Sequence, residues 1–191
     1  MKGVVWFRTD LRIDDNPALR NALDNCEEVI GIYIFSQPQW KAHNESNVKL
    51  EFLIKNLIHL EKSLSKLNIP LITIKTESYD SLPKDLSSFV VSNKVGQIFW
   101  NNEFGVNESK RDLLSCTMLE KDNVKTSRFD DQVIYEPGYL KTGQGKPFSV
   151  FTPFKRRWIE NFEMDFLDIN YKHSIKTVSY THLRAHETKW H

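Results

Sequence analysis

Two cysteines in 191 residues, Cys26 and Cys116, are too few for a disulfide framework. Neither stands in a paired-ligand spacing, so a cysteine-based metal knuckle is excluded as well. Each falls in an apolar helical pattern, which reads as a buried thiol in a reducing, cytoplasmic setting. No apolar run approaches the roughly 20 residues that span a bilayer. Met1-Lys2-Gly3 leads straight into a short apolar stretch with no small-residue cleavage site, and neither membrane insertion nor secretion is expected. Charge of one sign is missing too. Lys plus Arg number 26 against 25 Asp plus Glu, a formal charge of +1, so no net field draws the chain onto nucleic acid or anionic lipid. Glycine is scarce, at seven residues, and none follows the first apolar run. There the residues are Arg8, Thr9 and Asp10, which excludes the glycine-rich turn that lets backbone approach a dinucleotide pyrophosphate. Gly143-Gln144-Gly145-Lys146 has the wrong spacing for a phosphate loop, and Pro147 stands where a hydroxyl residue is needed. No Ser-His-acid set, kinase signature, internal repeat or low-complexity segment is visible, and no catalytic residue is assigned.

What is present is an alternation of strand and helix. Val4 to Phe7, Val29 to Phe35, Pro70 to Ile74 and Gln97 to Trp100 are short β-branched or aromatic runs apolar enough to be buried on both faces, as parallel strands are. Helical patterns lie between them at Pro17 to Cys26, Val48 to Leu67, Leu82 to Ser92 and Glu108 to Lys121. In the longest, Leu50, Leu53, Ile54, Leu57, Leu60, Leu64 and Leu67 recur at three- and four-residue steps, so one face packs on a sheet. Asn16 suits an N-cap, and Pro17 fits the first helical position, where a missing N–H costs nothing. A weaker strand at Val124 to Ser127 completes the series. With 40% hydrophobic residues the chain can close a sizeable core. The expected fold is doubly wound α/β: a mainly five-stranded, Rossmann-like parallel sheet with helices on both faces.

In such a fold ligands bind outside the carboxyl ends of the strands, near the point where strand order reverses. The loops there are Arg8 to Asn16, Ser36 to Asn44 and Asn101 to Glu108, all rich in polar and aromatic residues. Arg8, Asp10, Arg12 and Asp15 read as a buried network of ion pairs and hydrogen bonds fixing the first loop. Trp6 and Trp100 read as core, and His59 as solvated or satisfied. Asn107 and Glu108 have two readings, as cap and charge of a helix N-terminus or as ligand contacts.

Val4-Val5-Trp6-Phe7-Arg8-Thr9-Asp10-Leu11-Arg12-Ile13-Asp14-Asp15-Asn16-Pro17-Ala18-Leu19 closely resembles the opening of the DNA photolyase and cryptochrome family. Asn107-Glu108-Ser109-Lys110-Arg111-Asp112 resembles the family's N-E-x-x-R-D helix start. Phe129-Asp130-Asp131 and Phe148-Ser149-Val150-Phe151-Thr152-Pro153-Phe154 resemble its interdomain segment. The resemblance implies an antenna-binding α/β domain over residues 1–135 and an interdomain segment over 136–178. A helical FAD domain would follow in a longer parent, so the chain looks truncated. Trp40-Lys41-Ala42-His43-Asn44 and Val106-Asn107-Glu108 are similar to elements of the folate-type photolyases. They imply 5,10-methenyltetrahydrofolate as antenna rather than a deazaflavin, with Glu108 on the pterin edge and Asn107 and His43 lining the pocket. FAD would belong to the full-length parent, and damaged DNA would be reached only through it, as a monomer. The implied function is the light-harvesting domain of a deoxyribodipyrimidine photolyase. A cryptochrome antenna domain and a free-standing nucleotide-binding domain are the alternatives.

Phe151 to Trp158 would open a partly apolar, strongly basic helix that docks on the absent domain. His173, His182, His186 and His191 crowd the last residues. His182 and His186, one helical turn apart, lack a third ligand for zinc. Residues 179–191 resemble a translated adapter and read as a non-native tail, so no metal is assigned.

Overall fold

A computed structural model describes residues 1–162; residues 179–191 and the four C-terminal histidines lie outside them. Five strands, β1 (Lys2–Phe7), β2 (Glu28–Phe35), β3 (Leu71–Lys75), β4 (Gln97–Asn101) and β5 (Lys125–Phe129), form one sheet in the order β3-β2-β1-β4-β5. Every pairing is parallel. The central strand explains the two-sided apolar pattern. Successive side chains of β1 point to opposite faces, so Val4 and Trp6 join one buried cluster and Val5 and Phe7 the other.

On the first face Leu82, Leu86 and Val90 of α4 (Leu82–Ser92) and Leu119 of α5 (Val106–Lys121) cover Val4, Trp6, Ile98 and Trp100. On the second, Leu19, Ala22 and Leu23 of α1 (Pro17–Asn25) and Leu60 and Leu64 of α3 (Asn47–Ser65) cover Val5, Phe7 and Phe99. Burying a residue of this kind is worth about 1.5–3 kcal/mol. Trp6 and Trp100 are shut from solvent and meet edge to face at 5.6 Å. His59 is exposed on α3, Cys26 is buried and Cys116 half-buried, and neither cysteine is in a disulfide.

The helix boundaries follow local chemistry. Asn16 caps α1 by accepting from the Leu19 N–H at 3.0 Å, with Pro17 in first position. Asn68 and Asn123 end α3 and α5 in the left-handed region, at φ 59° and 58°. Asparagine tolerates that region because its short side chain bonds locally. Ile69 N–H then reaches the Leu64 carbonyl and Val124 N–H the Leu119 carbonyl. β5 runs two residues past the expected end, and its exposed and half-buried residues are those of an edge strand. A short helix, α2 (Gln37–Ala42), interrupts what reads in the sequence as loop.

After β5 the chain is irregular until α6 (Phe151–Glu160), none of whose residues is buried. Tyr139 stacks on Tyr135 at 5.2 Å, Tyr135 meets Trp158 at 5.8 Å, and Trp158 stacks on Phe162 at 5.1 Å, fastening this segment to α6. Gly143 to Lys146 forms an exposed turn closed by Thr142 and Lys146, with Gly145 at φ 75°. No described helix is long and apolar enough to cross a membrane.

Candidate functional site

The chain runs β1, β2, β3 toward one edge and then crosses to β4 and β5 on the other side of β1. Strand order therefore reverses between β1 and β4, and a crevice opens at their carboxyl ends. Asn101, the last residue of β4, pins this point. Its Nδ2 donates to Asp10 Oδ2 at 2.6 Å and to Asn16 Oδ1 at 2.9 Å, and its Oδ1 accepts from the Ala18 N–H at 3.1 Å. One amide thus ties β4, the first loop and the start of α1 together.

The first loop is fixed differently from the sequence reading. Asp10 is buried and takes the Arg8 N–H at 2.8 Å, but the Arg8 guanidinium turns away to Asp112 of α5, bonding both carboxylate oxygens at 2.7 and 2.8 Å. Arg8 Nη2 donates to the Asn101 carbonyl. Arg12 pairs with Asp131 at 3.0 Å, and Asp15 is exposed, offering Arg12 only its carbonyl. An isolated tetrad would leave two guanidiniums facing two carboxylates within one turn. The fold instead supplies Asp112 and Asp131 from distant elements, which sequence spacing cannot show.

A second guanidinium completes the floor. Arg111 donates to Asp112 Oδ1 from Nε at 2.9 Å and from Nη2 at 2.8 Å, and its Nη2 also reaches Glu103 Oε2 at 2.9 Å. Glu103 accepts from Thr9 Oγ1 at 2.8 Å. Both guanidiniums lie over Trp6, Arg8 at 5.0 Å and Arg111 at 4.8 Å from the ring centre, and Arg111 also lies 5.6 Å from the Tyr79 ring. Trp6 is thus core, as expected, and also the plate on which the paired charges rest. The Asp112 carboxylate raises the Arg111 pKa against the opposing cost of its burial, so the group stays charged. Burial pushes the phenols of Tyr33 and Tyr79 up to about 12, holding both neutral.

Above this floor lies a cavity of about 630 Å³, within the usual range for a small-molecule site. His43, Asn107 and Glu108 all line it, together with Trp40, Tyr33 and Tyr79. His43 stands at the end of α2, whose Trp40 packs 5.9 Å from Phe35 beneath the Lys49 ammonium. Asn107 and Glu108 occupy the first turn of α5. Neither caps it through a side-chain hydrogen bond, and Gly105 is the cap residue. The Glu108 carboxylate folds back over Gly105 so closely that a Cβ there would overlap Oε2. A carboxylate in this position is favoured by the helix dipole whether or not a ligand is bound. Among the described residues no group of three or more His, Cys, Asp or Glu is arranged to hold a metal ion.

Glu103, Arg111, Tyr33 and Tyr79 escape the sequence reading as site residues. Arg111 sits in the N-E-x-x-R-D element, one helical turn after Glu108, and that spacing is the only signal that marks it.

The family model described as DNA photolyase matches residues 3–174. The chain belongs to the DNA photolyase family. It is similar to the deoxyribodipyrimidine photo-lyase of Vibrio cholerae, 33% identical over 160 residues, covering 84% of this chain and 34% of that protein. The enzyme of the same name from Escherichia coli is 35% identical over 158 residues, covering 82% and 33%. Among solved structures, a class III photolyase from Agrobacterium tumefaciens superposes with a TM-score of 0.67 at 26% identity, over 85% of this chain and 32% of that one. The chain therefore spans about a third of the length of the curated relatives it matches, and corresponds to the family's N-terminal α/β domain.

Proposed function

We propose that this chain is the light-harvesting part of a cytoplasmic, monomeric deoxyribodipyrimidine photolyase that takes 5,10-methenyltetrahydrofolate in the cavity beside Trp6. Excitation would pass to FAD in a helical domain of the longer parent, where repair of pyrimidine dimers in DNA takes place. The observation that carries this reading is the convergence of His43, Asn107 and Glu108 on one cavity from two separate elements, the end of α2 and the first turn of α5. The donor set fits a folate. The Glu108 carboxylate offers two acceptors to the amino and ring N–H groups of a pterin, Asn107 and His43 supply polar contacts at the rim, and Trp40 and Tyr33 supply flat apolar wall. When bound, the folate contributes absorption in the near-ultraviolet and blue. This chain's residues hold the ring, orient it and shield one side from water. Both curated relatives described above carry the name deoxyribodipyrimidine photo-lyase, which favours repair over cryptochrome signalling.

Equilibrium dialysis of the chain against 5,10-methenyltetrahydrofolate tests the reading. One site per chain is expected, with Glu108→Ala weakening it at least tenfold and His43→Ala less. Equal affinity in the wild type and Glu108→Ala would overturn the pocket assignment.

A further inference from the structure

Arg111 is nine-tenths buried and charged, yet only part of it is used. Nε and Nη2 are held by Asp112 and Glu103 at 2.8–2.9 Å, and the guanidinium lies over the Trp6 and Tyr79 rings. Nη1 has no partner among the described residues. It is not sealed off as Arg8 Nε is, and Arg111 lines the cavity. A donor fixed on its other nitrogens and by two rings points its remaining N–H groups in a set direction, so little freedom is lost when an acceptor arrives.

Glu108 and Arg111 are three residues apart in α5, on one helix face, and both face the cavity. Between them they offer the cavity two carboxylate acceptors and a guanidinium donor. We infer that Arg111 is a specificity-determining residue that, with Glu108, reads the edge of a 2-amino-4-oxopyrimidine ring: Glu108 takes the amino and ring N–H, and Arg111 Nη1 donates to the 4-oxo oxygen. This deepens the folate reading and rests on it. The edge belongs to pterins, and guanine carries the same order of groups. A flavin or deazaflavin has a carbonyl on each side of its ring N–H, so one carbonyl oxygen would meet the Glu108 carboxylate with no proton between them. The Glu108–Arg111 pair therefore selects against flavin-type chromophores by repulsion as well as for pterins by bonding.

The first arm of the test leaves the protein unaltered, because Arg111 also braces Asp112 and its substitution risks the fold. Dialysis compares 5,10-methenyltetrahydrofolate with its 4-amino-4-deoxy analogue, which replaces the 4-oxo acceptor by a donor and leaves the ring N3 without the proton that Glu108 would take, and with guanosine and FMN. The analogue is expected to bind at least about tenfold more weakly, the lower end for losing one hydrogen bond to a charged group, and FMN more weakly still. Arg111→Lys, checked for folding by its tryptophan fluorescence, is expected to shrink the ratio between the two folates. Equal affinity for the two folates in the wild type overturns this inference and leaves the folate reading standing. Failure of both folates to bind overturns both. Guanosine binding more tightly than either folate supports the edge assignment while replacing the pterin with a purine.

Discussion

Replacing Asn101 by alanine removes three hydrogen bonds at one point, to Asp10, Asn16 and the Ala18 N–H. The two neutral bonds are worth about 1 kcal/mol each and the bond to a carboxylate about 2 kcal/mol. The expected loss is therefore about 4 kcal/mol, a large share of the roughly 5–15 kcal/mol that holds an ordinary domain together. At about 2–4 °C per kcal/mol for a chain of this size, the melting temperature should fall by about 8–16 °C. Asn101→Asp should cost more, since its carboxylate would replace an N–H donor 2.6 Å from Asp10 Oδ2. Urea unfolding followed by tryptophan fluorescence measures both. A loss below about 1 kcal/mol for Asn101→Ala, within the range of a single neutral hydrogen bond, would refute the view that this amide locks the strand-order reversal.

Burial raises the Asp131 pKa despite the Arg12 guanidinium beside it. A carboxyl whose folded-state value lies above its unfolded value favours folding most below the unfolded value, and that contribution fades as pH rises through the folded one. Asp131→Asn should accordingly be more stable than the wild type at pH 7.5 in urea melts, with the difference vanishing near about pH 4, the ordinary range of the unfolded carboxyl. Tyr33 and Tyr79, pushed up to about 12, should stay silent when absorbance at about 295 nm is followed through the usual tyrosine range near pH 10, with Tyr33→Phe and Tyr79→Phe leaving that titration unchanged. Leu64, fully buried between α3 and the sheet, should cost about 2–5 kcal/mol as Leu64→Ala, again read from urea midpoints.

The strand and helix series is legible because each element carries a local signal: two-sided apolar runs for β1, β2 and β4, the Asn16-Pro17 start of α1, and the leucine steps of α3. α2 escapes because six residues hold too few turns for periodicity to register, and Pro38 in its first turn reads equally as a loop residue. β5 is weakly marked because an edge strand needs little apolar surface. In the site, His43, Asn107 and Glu108 can be placed on strand-end loops from topology alone. Glu103 falls in one of those loops and Arg111 one turn into α5, but nothing local singles them out, since the Thr9 hydroxyl and the Trp6 and Tyr79 rings that fix their roles come from distant elements. The Arg8–Asp112 pair, separated by 104 positions, forms only when β1 and α5 meet, and the Arg12–Asp131 pair similarly needs the segment after β5 to fold back.

Amide hydrogen exchange of the chain with and without saturating 5,10-methenyltetrahydrofolate tests the central claim most directly. Bound ligand should slow exchange in the segments 8–12, 36–43 and 103–111, which carry cavity-lining residues such as Arg8, Trp40, His43, Glu103, Glu108 and Arg111, and leave the opposite sheet edge at residues 68–70 and 94–96 unchanged. Protection confined to that opposite edge, or none anywhere at saturating ligand, would contradict the account.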